Sequence, residues 1–330
     1  MPKMPSKQLL AFVVCLALTT GTACSDKSQP SGKNIVPGMA LIPAGEFTMG
    51  SNKTEDDTKW KGANALNPYG FNDKLYVDEH PAHKVTLPTY LMDKYEVSNA
   101  QYRAFIAATQ HRPPALWQHN GYNLTNKFLD NLPLVYLQQV AADRFKLDMD
   151  VTTMTKQALL AELKKVQAER SKLPVTTVTW ADADAYCRWA GKHLPSEAEW
   201  EKAARGSDGL EFPWGNEWDP KRINTMSENP DQPFSPGGSY PGDKSVYGIY
   251  DMAANVSEWV ADWYDAYPGA PPSDNKYFGK IHRVTRGGIT SSGHYDALSL
   301  MFRSAKRAHL PPDSALLDLG FRCAKDIKKP

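Results

Sequence analysis

The period of the hydrophobic pattern changes several times along the chain. Residues 9–18 (LLAFVVCLAL) are an unbroken apolar run, behind Lys3 and Lys7 and ahead of small residues leading to Cys24. The run has the length of an export signal and falls short of the roughly 20 residues that span a bilayer. Residues 24–36 are polar and rich in Ser, Pro and Gly, as a flexible tether would be. Residues 39–50 (MALIPAGEFTMG) alternate apolar and small side chains around Pro43 and Gly45, which predicts a hairpin or short strands. Val85, Leu87 and Tyr90 mark strand-like alternation within 78–92. From Glu96 the period lengthens: Tyr102, Phe105 and Ile106 share a helical face, with Ser98 or Asn99 as cap. Residues 155–172 (TKQALLAELKKVQAERSK) combine strong helix formers with a stripe of Leu159, Leu160, Leu163 and Val166. That pattern suits a surface helix packed on its domain better than one waiting for a partner. A helix over 181–190 should stop at Gly191, and Ser196 with Glu199 forms a capping box opening another that runs to Gly206. Beyond it, short aromatic-rich pieces separated by Gly, Pro, Asn and Asp predict short strands and ordered loops, not a doubly wound sheet.

Composition narrows the functional classes. The 330 residues carry 38 Lys and Arg against 37 Asp and Glu, which argues against a nucleic-acid partner. Gly21-Thr22-Ala23-Cys24 looks like a bacterial lipobox. Residues 1–23 are then a lipoprotein signal, Cys24 carries lipid, and the membrane is a partner through that lipid; the alternative is ordinary cleavage after Ala23. The expected location is the bacterial cell envelope, and Ser25 in place of Asp favours the outer membrane, facing the periplasm or the surface. Of four cysteines, Cys15 leaves with the signal and Cys24 is lipidated. Cys187 and Cys323 remain, in an oxidising compartment where a bridge is the economical outcome and two separate buried thiols the alternative.

Single segments say little, but their succession is specific. MALIPAGEFTMGS, DEHPAHKVTLPTYLMDKYEVSNAQYRAF, HRPPALW, PVTTVTWADADAYCRWAGKHLPSEAEWEKAARG, FPWGN, YGIYDMAANVSEWVADWY, RVTRGG and LGFRCAKD follow one another in this order. This succession resembles the formylglycine-generating enzyme (sulfatase-modifying factor) family over about 37–326, with 118–173 as a helical insertion. The resemblance implies an α+β fold: one compact, C-type-lectin-like domain with few short helices and strands and many ordered loops. It implies a bond between Cys187 and Cys323, and Ala204 and, approximately, Ser304 stand where the family has a second pair. It also implies calcium, held by the Asp251 and Glu258 side chains and the Ala254 and Val256 carbonyls, since Ca²⁺ takes carboxylate and carbonyl oxygens. A weaker second site would use Asn224 and the Thr225 carbonyl, with Asp231 a further candidate.

The catalytic segment departs from the family. Family enzymes carry G-G-S-[WY]-x-C-x4-C, whose two thiolates bind copper(I), and soft thiolates suit that ion. Here the cysteine positions hold Ser292 and Ala297, so no copper is expected. Ser292, His294 and Asp296 lie close in sequence but lack a nucleophile-elbow context. His80 and His83 read as surface or structural histidines, and Trp189, Trp200, Trp214, Trp259 and Trp263 as core aromatics. The expectation is an exported, lipid-anchored component that binds a protein or peptide or serves envelope assembly. The competing reading is an oxidoreductase with a divergent active site. Lectin-like carbohydrate binding through calcium rests on fold analogy alone.

Overall fold

A computed structural model describes residues 36–54, 76–224, 234–288 and 299–327. Strand β1 (Met39–Ile42) and β2 (Gly45–Met49) form as the alternation predicts, but they do not pair with each other. β2 runs antiparallel to β3 (His83–Leu87), with Gly45 opposite Leu87. β1 runs antiparallel to β4 (Tyr90–Asp93), the centre of a three-stranded sheet. The reason lies in the link. Pro43 cannot donate to a ladder, and the buried Lys202 ammonium donates to the Pro43 and Gly45 carbonyls at 2.8 and 2.9 Å. That contact holds the two strands in separate sheets.

Helix α1 (Asn99–Thr109) begins at Ser98, whose hydroxyl accepts from Gln101 N–H in a capping box. Residues 115–172 contribute α2 (Ala115–Asn120), α3 (Asn126–Asn131), α4 (Leu134–Val140) and α5 (Lys156–Lys172). The stripe on α5 meets α3 and α4: Leu159 and Leu163 are buried with Leu129, Leu137 and Phe145, so this helical stretch has a hydrophobic core of its own. It is tied to α1 by Asn99, which donates to the Arg170 carbonyl at 2.9 Å and accepts from Trp117 Nε1 at 2.7 Å.

Helices α6 (Trp180–Trp189) and α7 (Glu197–Arg205) carry capping boxes from Thr179 with Asp182 and from Ser196 with Glu199. After them come β5 (Ser257–Trp263), β6 (Arg283–Arg286), β7 (Ala308–Leu310) and β8 (Leu319–Gly320) in the spatial order β7-β6-β5-β8, with β8 parallel to β5. β9 (Ala324–Asp326) returns to the edge of β4. Trp200 and Trp259 are core residues and Trp214 and Trp263 are partly buried, but Trp189 is 43% exposed. Trp189 sits on the last turn of α6, where it meets the Phe105 and Tyr186 rings at 5.5 and 5.7 Å and remains largely in solvent.

The interior also contains paired charges. Arg286 spans Glu197 and Glu201 at 3.0 and 2.8 Å, and Arg307 forks onto Glu197 at 2.7 and 2.9 Å. Arg303 holds Glu79 on the segment preceding β3. Breaking one partner of such a pair costs about 3–5 kcal/mol, because the other charge is left buried.

Candidate functional site

The loop from Asp243 to Glu258 brings carboxylates together where little water reaches. Asp251 and Asn255 both adopt left-handed backbone, φ 59° and 71°, a conformation Asp and Asn tolerate better than most residues. The turn directs the Asp251 carboxylate to the Gly238 N–H at 2.6 Å. Asp243 accepts from the Ala253 N–H at 3.1 Å. Asn255 donates to Glu96 Oε1 at 2.9 Å and accepts from Asn224 at 3.4 Å, so Asn224 joins the same cluster. Among the described residues Glu96 Oε2 is buried without a hydrogen-bond partner.

Arg322 is the cation whose charge reaches all these carboxylates. Its guanidinium is committed to Glu258, which accepts at 2.6–2.9 Å through both oxygens and also accepts from Trp200 Nε1 at 2.8 Å. Burial, reinforced by the neighbouring Asp251 charge, pushes Glu96 and Asp243 well above the usual carboxylate range. Burial lifts Asp251 to about 6. An excess of buried carboxylates with an orphaned oxygen fits a hard cation. Asp251 is placed for that role, and Glu258 faces the same loop while accepting from Arg322 and Trp200.

Cys187 on α6 and Cys323 before β9 are bonded, with Cα atoms 5.7 Å apart. The bridge sits among Tyr102, Tyr186 and Phe321, the aromatic core shared by α1 and α6. Gly288, the last described residue of the RVTRGG segment, donates to the Ala253 carbonyl at 2.8 Å, and a Cβ there would stand 2.1 Å from Phe302. Only glycine fits at this position beside the acidic loop. His80 and His83 have structural roles: His80 Nε2 meets the Lys53 carbonyl at 2.6 Å, and His83 packs on Tyr267. Cys24, Thr225, Asp231, Ser292, His294, Asp296 and Ala297 lie outside the described residues.

Comparison with known proteins decides the family. The model of the sulfatase-modifying factor enzyme 1-like domain matches residues 25–327. The chain belongs to that family. The formylglycine-generating enzyme of Thermomonospora curvata is 33% identical to this sulfatase-modifying-factor-like chain, over 91% of it and 97% of the relative. A bovine relative named inactive C-alpha-formylglycine-generating enzyme 2 is 28% identical, over 95% of this chain and 96% of the relative. The solved structure of PvdO from Pseudomonas aeruginosa superposes with a TM-score of 0.53 and 25% identity, covering 88% of this chain and 94% of that one. The expected α+β fold and the Cys187–Cys323 bridge are thus both present in this family member.

Glu96, Asp243 and Asn255 were not among the residues expected at the site. Their types carry no periodic signal, and Glu96 lies roughly 150 residues from the loop it faces. A left-handed Asp or Asn in a turn is a weak cue that the sequence does offer.

Proposed function

We propose that this protein is a non-oxidising member of its family, a lipid-anchored envelope component that binds an extended protein segment. The cysteine inventory carries the reading. The chain has four cysteines, two of them before residue 25, and the other two are joined to each other. No pair of free thiolates is left within 25–327 to hold copper(I), and hydroxyl or methyl side chains do not substitute for soft sulfur. A family relative described as inactive is consistent with the domain persisting without oxidation. The lipobox-like Cys24 and the polar tether support anchoring at a membrane. In this reading a calcium ion is held by Asp251 and Glu258 with the Ala254 and Val256 carbonyls, near the unpartnered Glu96 Oε2. It adds positive charge to the acidic loop and fixes that loop.

The decisive experiment gives the purified mature protein copper(I), oxygen and a cysteine peptide of the sulfatase type, and reads aldehyde with a hydrazide probe and mass spectrometry. The expected result is unmodified peptide and no thiolate-to-copper absorption. Aldehyde on the peptide would overturn the reading and restore an oxidase.

A further inference from the structure

A second concave site lies away from the acidic loop. A cavity of about 880 Å³ opens between the 77–80 turn, the stretch 264–278 and the segment 301–309 that leads into β7. Its apolar walls include Phe278 and Met301, and its polar groups include Asp78, Tyr264, Lys306 and His309. The surrounding arginines are all engaged: Arg303 with Glu79, Arg286 with Glu197 and Glu201, and Arg307 with Glu197 and the Asp78 and Asp265 carbonyls. Lys306 differs. It is half-buried on the cavity wall, and no described residue accepts a hydrogen bond from its ammonium. Asp78 stands near enough for its charge to act on Lys306. Its Oδ2 accepts from Tyr264 Oη at 2.9 Å. The Tyr264 ring stacks on His309 at 4.0 Å, and His309 meets His282 nitrogen to nitrogen at 2.7 Å.

A free amine on the wall of a partly apolar cavity that a carboxyl also lines is an arrangement that condenses carbonyl compounds. We propose that the cavity is a carbonyl-capture site in which Lys306 forms an imine with an aldehyde or ketone carried on an apolar or aromatic body, and Asp78 moves the proton. The neutral Nζ adds its electron pair to the carbonyl carbon, and the oxygen takes one of the two protons of the nitrogen, now cationic, to give a neutral carbinolamine. That hydroxyl leaves as water with the proton of Asp78 as the C=N bond forms, and the proton lost from nitrogen returns to the Asp78 carboxylate. No electrons change hands and no co-reactant is needed.

The electrostatics support this chemistry. Burial holds Lys306 down at about 8, with the Arg303 and Arg286 charges adding to the depression while Asp78 and Glu79 oppose it. Burial raises Asp78, against the nearby Arg307 charge, toward a protonated form able to act as acid. From 10.5 to about 8 the neutral fraction of the amine at pH 7 rises about 300-fold. Lower basicity also weakens the nucleophile, so a rate gain of at least tenfold is the expected net effect.

The test incubates the mature protein with benzaldehyde and sodium cyanoborohydride and maps benzylated lysines by mass spectrometry. The expected result is Lys306 modified at least tenfold faster than the exposed Lys84, with a half-point near pH 8. Lys306→Met should remove the fast phase and Asp78→Asn should slow it, both with unchanged circular dichroism. If a variant does not fold, the wild-type map and pH profile decide alone. Labelling of Lys306 no faster than Lys84, or a half-point near 10, overturns the proposal. The site is independent of the cysteine reading: aldehyde formation on a sulfatase-type peptide would leave Lys306 labelling unchanged.

Discussion

Asp251 concentrates the chemistry of the acidic loop in one side chain. It sits in a left-handed turn, and burial raises its carboxyl from 3.8 to about 6. A raised carboxyl means the folded protein binds the proton before the unfolded chain does. Between about pH 4 and 6 this group therefore makes stability fall as pH rises. The span of about two units corresponds to at most about 3 kcal/mol. A calcium ion demands the ionised form and should abolish that limb. Urea unfolding from pH 4 to 7 in EDTA should thus show a descending contribution that calcium removes and Asp251→Asn flattens. An identical pH profile with and without calcium, and in the variant, would sink the assignment of Asp251 as a cation ligand.

At the scale of elements, α7 does more than its length suggests. Its first residue, Glu197, takes both Arg286 and Arg307, and Glu201 one turn later takes Arg286 and Arg205. Lys202 beside them locks the β1–β2 link. Glu201→Gln keeps the shape and removes the charge, so Arg286 and Arg205 lose a buried counter-ion. The expected loss is about 3–5 kcal/mol in denaturant unfolding, and a loss below about 1 kcal/mol would show that the clamp is dispensable. α7 also marks where legibility ends. Its boundaries follow from Ser196, Glu199 and Gly206, because capping is local chemistry. Trp200, Ala203 and Ala204 give it an apolar face, but the burial of Glu197, Glu201, Lys202 and Arg205 around them is invisible to a hydrophobic pattern, since Glu and Arg ordinarily signal solvent. The same limit hid the strand partners of β1 and β2: alternation specifies a strand, whereas Lys202, more than 150 residues away, separates the pair. Lys306 and Asp78 were missed for the same reason, because 228 positions separate them in the chain.

Across the whole molecule, the Cys187–Cys323 bridge connects the helical middle of the chain to its final strand. It closes a loop of 136 residues, which contains α7, the acidic loop and most of the cavity wall. The chain-entropy model assigns such a closure about 5 kcal/mol, an upper figure. The bridge lies in a packed aromatic core rather than at an edge, so a serine at either end also leaves a hydroxyl among rings. Cys323→Ser should therefore lose about 3–5 kcal/mol in urea unfolding, Cys187→Ser a similar amount, and the double variant far less than the sum of the two, since each breaks the one crosslink. Additive losses would mean that the sulfurs act as separate packing groups. The native protein should resist thiol alkylation at both positions until it is denatured and reduced. Two alkylatable thiols in the folded molecule would remove the bridge and return a possible thiolate pair to the domain, and the non-oxidising reading would fall with it.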